Sequence, residues 1–142
     1  MTTSEKTKIT VQVSVNVSME KAWEAWVKPK HIINWNFASP DWQCPKSEND
    51  LQPGGNFVSR MEAKDGSFGF EFGGVYQDVI KHQLISYILE DSRTVKITFE
   101  EKDEEILVVE TFEAESENPI ELQRDGWQAI MNNYKKYVES LS

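Results

Sequence analysis

Residues Asp65-Gly66-Ser67-Phe68-Gly69-Phe70-Glu71-Phe72-Gly73-Gly74-Val75-Tyr76 run a hairpin-turn signal directly into a strand with an aromatic at every second position. A strand projects alternate side chains to one face, so Phe68, Phe70 and Phe72 form one stripe, which Tyr76 joins if the glycine pair leaves the register intact. That stripe must face something apolar. Gly69 and Gly73 stand opposite it, and glycine inside a strand marks a bulge, a bend or a close approach by another segment. The stretch predicts a curved sheet wrapped around something.

The flanking patterns supply the rest of the sheet. From Ile9 to Val17 the odd positions are apolar and the even ones polar, which predicts a half-buried strand. Ser18 is placed to cap a helix with Ala22, Trp23 and Trp26 on its apolar face and Glu20 in its first turn. Pro29 ends that helix and opens a second, short one to about Trp35, carrying Ile32, Ile33 and Trp35. Strand patterns then cover about 44–49, 55–63, 68–79, 84–90, 94–100 and 105–113, and turn signals such as Gly54-Gly55 and Asp65-Gly66 predict an antiparallel meander. Asn118 as N-cap, Pro119 at the first helical position and Glu121 at the capping-box position start a final helix. Its broad apolar stripe runs from Leu122 through Trp127, Ile130, Met131, Tyr134, Tyr137 and Val138 to Leu141, and needs a wide surface to cover.

A chain of 142 residues, 39% hydrophobic, suits one α+β domain spanning residues 1–142, with the polar stretch 1–7 frayed. The net charge of -9 argues against nucleic acid, whose affinity rests on Lys and Arg. The single cysteine, Cys44, excludes an internal disulfide, no secretory leader follows Met1, and no apolar run approaches the ~20 residues of a membrane span. The expected location is the cytoplasm. The acidic run Glu100-Glu101-Lys102-Asp103-Glu104-Glu105 reads as a solvated hairpin tip or as a docking site for a basic partner.

This order of elements resembles the helix-grip, or START-like, fold, in which a curved antiparallel sheet wraps around a long C-terminal helix and two short helices follow the first strand. Within it the chain resembles the activator of heat-shock-protein-90 ATPase homologue-like proteins of the SRPBCC superfamily. The resemblance rests on Val17-Ser18-Met19-Glu20-Lys21-Ala22-Trp23-Glu24-Ala25-Trp26, Pro29, Trp35-Asn36, Ser39-Pro40-Asp41-Trp42, Asp50-Leu51 with Gly54-Gly55, the 65–76 stretch, and Gln123-Arg124-Asp125-Gly126-Trp127. It implies a cavity between sheet and last helix, which different members use for lipids, polyketides, plant hormones or other apolar molecules.

Strand and helix parity nominate Trp23, Trp35, Trp42, Phe57, Met61, Phe70, Phe72, Tyr76, Tyr87, Phe99, Phe112, Trp127, Met131 and Tyr134 as walls of that cavity. Each is equally suited to filling a core. Asp41, Arg60, Glu71 and Gln123 are the candidate polar contacts, and Asp41 or Glu71 would serve as acid or base if buried beside aromatics. Cys44 with His31 or His82 lacks the local signature of a thiol nucleophile, and the same three residues lack zinc-like spacing. The glycines at 66, 69, 73 and 74 lie between turn and strand, unlike a dinucleotide fingerprint. No metal, cofactor or catalytic residue is expected.

Three functions fit. The first is a carrier or sensor, monomer or homodimer, that sequesters a small apolar ligand in a cavity of roughly 300–1,000 Å³. The second is an interaction module stimulating a chaperone ATPase through the acidic tip, although the co-chaperone of that name carries a further domain for which this chain has no room. The third is a cavity enzyme of cyclase, dehydratase or hydrolase type, which needs a strongly perturbed carboxylate or histidine in the pocket.

Overall fold

A computed structural model describes residues 7–141. The first alternating run forms β1 (Lys8–Val15), in which Ile9, Val11, Val13 and Val15 are buried and the residues between them face outward. Of the stretch expected to fray, 1–6 lies outside the described residues, while the Thr7 carbonyl accepts from Ala114 N at 2.7 Å. Ser18 caps α1 (Met19–Val27), its hydroxyl accepting from Lys21 N at 3.2 Å. The second helix, α2 (Pro29–Ile32), is shorter than its apolar spacing predicts. The Asn34 amide donates to Lys30 O at 2.8 Å, so a side chain competes for the last turn and the backbone leaves the helix before Trp35.

Six strands follow as a meander: β2 (Trp42–Asn49), β3 (Asn56–Ala63), β4 (Gly69–Ile80), β5 (Leu84–Leu89), β6 (Thr94–Lys102) and β7 (Glu105–Glu113). The sheet order is β1-β7-β6-β5-β4-β3-β2, with every neighbour antiparallel. The edge strand β2 begins two residues earlier than expected and shifts register between Gln43 and Lys46, where Pro45 cannot donate to a ladder. Asp103 and Glu104, both at positive φ, make the two-residue turn between β6 and β7, so the acidic run is an exposed hairpin tip.

β4 is shared lengthwise. Its first half pairs with β3 and its second with β5, the ladders overlapping at Gly74 and Val75. At Gly73 an added Cβ would lie 2.6 Å from Phe57 O, and at Gly74 it would collide with Ile88 O, so both strands approach closer than any side chain permits. The register holds through this pair, and Phe72 and Tyr76 share the concave face. Phe68 and Phe70, however, are 62% and 42% exposed. The sheet runs beyond its helical cover there, and Phe68 rests edge-on against Trp42, its ring centroid 5.9 Å away.

The last helix, α3 (Ile120–Ser140), packs on β1 and α1. Pro119, not Asn118, is its N-cap, and no side chain caps it. Asn118 N is taken by Glu115 Oε1 at 2.6 Å, and Gln123 reaches back to donate to Asn118 O and Glu115 O and to accept from Glu115 N, at 2.8, 3.1 and 2.9 Å. Buried Tyr134 donates to Ala22 O at 2.6 Å and so fastens α3 to α1. Tyr134→Phe keeps the packing and removes this bond; we expect a loss of about 1–2 kcal/mol in urea unfolding, and an unchanged midpoint would show the bond to be dispensable. The concave face of the sheet, α1 and α3 enclose one core, with Trp23, Phe112, Met131 and Tyr134 among its buried members.

Candidate functional site

A cavity of about 190 Å³ lies between the concave face and the helices, walled by side chains from every layer. It is smaller than the roughly 300–1,000 Å³ expected of a small-molecule carrier. From α1 come Trp26 and Val27, from α2 and its exit Ile32, Trp35 and Asn36, and from α3 Trp127 and Ile130. The sheet contributes Phe57, Ser59 and Met61 on β3, Phe70, Phe72 and Tyr76 on β4, Ile85 and Tyr87 on β5, and Glu110 on β7. Phe70 both lines the cavity and reaches solvent, which puts the opening at the hairpin end of β3 and β4.

The rings are held by one another and by partners outside the cavity. Trp35 Nε1 donates to Ala25 O at 2.9 Å, and Trp35 packs 4.9 Å from Trp26 and 5.2 Å from Tyr134. Tyr76 OH accepts from Asn49 Nδ2 at 3.3 Å, while the same amide donates to Val27 O at 2.7 Å. Phe57 stands 4.6 Å from Tyr87, and Trp127 stacks on Phe112 at 3.7 Å with 10° between the planes. Such mutual bracing pre-orients the walls before any guest arrives.

Of the predicted wall residues, Trp35, Phe57, Met61, Phe70, Phe72, Tyr76, Tyr87 and Trp127 meet around the cavity, and Trp26 joins them although only its helix face was read. Trp23, Trp42, Phe99, Phe112, Met131 and Tyr134 do not line it. Trp23 and Phe99 pack against each other at 5.2 Å, Phe112 is covered by Trp127, Met131 and Tyr134 are fully buried, and Trp42 lies at the exposed hairpin end. None of the four nominated polar residues reaches it either. Asp41 and Glu71 are exposed, Arg60 turns outward to Glu62 at 3.1 Å, and Gln123 is committed to the loop before α3.

A charged side chain that was not nominated does line the cavity, Glu110. Along β7, Ile106, Val108, Glu110 and Phe112 are the inward positions, and Glu110 is 6% exposed. Its cross-strand neighbours are Val11 and Ile97, both buried. Among the described residues its carboxyl has no hydrogen-bond partner, and burial alone raises its pKa from 4.5 to about 8. Tyr87, near enough to feel its charge, is pushed well above the ordinary tyrosine value by burial, then by Glu110 and by Tyr76. A charged residue at an inward parity was the signal available in the sequence.

Cys44, His31 and His82 all lie away from the cavity lining. Burial raises the Cys44 thiol, the opposite of activation, and its Sγ is turned to Lys46 O at 3.6 Å. His31 Nδ1 is hydrogen-bonded to Tyr137 OH at 2.6 Å outside the cavity, and burial, with Lys30 and Lys28, lowers its pKa. His82 packs edge-on against Trp23 at 6.0 Å, also outside it. Among the described residues no group of three or more His, Cys, Asp or Glu could hold a metal, and no helix is long and apolar enough to cross a membrane.

The profile of the family described as "Activator of Hsp90 ATPase homolog 1-like protein" matches residues 16–139. The chain belongs to this family. The AHSA1-like protein of Aeromonas hydrophila, solved by NMR, is 38% identical over 95% of this chain and 94% of its own, with a TM-score of 0.89. A Cytophaga hutchinsonii protein is 48% identical over 94% and 93% of the two chains, with a TM-score of 0.82. A Nitrosomonas europaea protein, only 15% identical over 94% and 95%, still superposes with a TM-score of 0.80, so the fold persists where the sequence does not. No protein of curated function matches the chain. The half-barrel wrapped on a long helix is the helix-grip fold expected of AHSA1-like proteins.

Proposed function

We propose that this AHSA1-like protein binds a small apolar molecule in the cavity under α3. The observation that carries the reading is the wall itself: braced rings from two helices, the segment after α2 and three strands surround about 190 Å³ that they do not fill. A protein interior normally closes on such a space, because an unfilled volume forfeits dispersion contacts. The size points to one ring and a few further atoms, since a cavity of about 150 Å³ takes benzene. Whole sterols and long acyl chains would need the walls to part.

Thermal-shift titration with monocyclic aromatics tests this. A ligand at about a hundred times its Kd adds about 2.7 kcal/mol and moves the midpoint by several degrees. Saturable shifts from compounds of this size, absent for polar compounds of equal mass, are expected; flat profiles across the set would overturn the reading. The family description and the exposed acidic tip support a second reading, stimulation of a chaperone ATPase. Reversing the charge of Glu104 and Glu105 separates the two, because it abolishes any such stimulation while leaving ligand binding intact.

A further inference from the structure

We propose that Glu110 and Tyr87 recognise a hydrogen-bond acceptor, such as a ketone oxygen, on a small uncharged aromatic guest. This rests on the cavity reading above and adds the chemistry of the guest. The cavity wall is apolar except at a few points, and most of those already have partners. Ser59 Oγ bonds Ser47 Oγ at 3.0 Å, and the Tyr76 hydroxyl is engaged by Asn49. Glu110 and Tyr87 both line the cavity, are 6% and 8% exposed, and have no hydrogen-bond partner among the described residues. The carboxyl of Glu110 and the hydroxyl of Tyr87 thus give onto a ligand-sized space with no protein partner, and a guest's polar atom that meets them there supplies the bonds the wall does not make.

The sign of that atom follows from the surroundings. Among the described residues no lysine, arginine or histidine lines the cavity. The titratable groups facing Glu110 are Tyr87 from β5 and, beyond it, Tyr76 from β4; β1 and β6 present Val11 and Ile97, and α3 presents Trp127 and Ile130. With nothing to stabilise its charge, Glu110 is mostly protonated at neutral pH and offers an O–H, as Tyr87 does. Two donors on the wall and aromatic faces around the rest complement a flat molecule with one acceptor. Once Glu110 ionises it becomes a pure acceptor and repels that atom.

Isothermal titration of the full chain with four probes of one shape decides the matter: acetophenone, its apolar isostere α-methylstyrene, 1-phenylethylamine and benzoate. At pH 6 acetophenone should bind about tenfold more tightly than α-methylstyrene, the worth of one good hydrogen bond, and the advantage should vanish by pH 9.5. Glu110→Gln keeps an N–H donor and should preserve the preference at both pH values; Glu110→Leu should leave at both only the smaller, pH-independent part that Tyr87 supplies, and Glu110→Leu combined with Tyr87→Phe should erase it. Carbon-detected NMR of the Glu110 carboxyl should show its titration moving upward with acetophenone bound. Equal binding of ketone and isostere, or tightest binding of the amine with a downward-moving titration, overturns the proposal while leaving the cavity reading standing. Binding of none of the four removes the cavity reading and this proposal together.

Discussion

Replacing Glu110 with leucine should make the protein more stable at pH 9, by several kcal/mol. The carboxyl has a folded pKa of about 8 against an ordinary value of 4.5, so between those values the folded chain holds a proton that the unfolded chain has released. Stability then falls as pH rises: the contribution is fully present below about 4.5, declines through the window, and is gone above about 8. At 1.36 kcal/mol per pH unit, the full difference is at most about 5 kcal/mol. Glu62 and Glu139, whose pKa values are lowered chiefly by hydrogen bonds to Gln43 and Lys135, act with opposite sign and in the acid range. Urea unfolding of wild type and Glu110→Leu from pH 5 to pH 9.5 isolates the effect in the difference between the curves. Parallel curves would mean that the carboxyl ionises freely where it sits. A residue that lowers stability throughout the neutral range, where a leucine would serve the fold better, is the kind retained for a task.

Trp127→Ala should cost about 3 kcal/mol in urea unfolding and abolish guest binding at concentrations that saturate the wild type. The indole stacks on Phe112 and meets Phe72 edge-on at 6.1 Å, so it closes the cavity from above and covers the core below. Alanine would merge the two spaces and expose the Phe112 ring. Because lost stability alone can mimic lost binding, Trp127→Phe is the companion: it retains a stacked ring, should cost less than half as much, and should keep measurable affinity. Similar losses in both variants would show that the indole's shape, not the stack, is what the site requires.

Parity along the strands placed side chains on the right face without telling how deeply each would lie. Phe70 and Phe112 have the same credentials in the sequence, yet one opens to solvent and the other is sealed under Trp127, because α3 covers one end of the sheet and not the other. The Ser18 cap was legible since its offset is local, whereas the Asn118 cap failed because Glu115 and Gln123 compete for the same loop groups. Of the polar candidates chosen for standing near aromatics in sequence, Asp41, Arg60 and Glu71 face outward and Gln123 is bonded into the loop before α3. Glu110 carried the better mark, a charge in an otherwise apolar inward series, and its worth appears only when β1 and β6 close over it on both sides.

The lengthwise division of β4 makes the half-barrel two panels that share an edge near Gly74 and Val75. One panel, β2 and β3 with the first half of β4, carries Phe57, Met61 and Phe72; the other carries Tyr87 and Glu110. The space beneath α3 therefore depends on the angle at which the panels meet as well as on the size of the rings. A change of angle at this two-glycine crease would resize the chamber and leave the wall residues untouched.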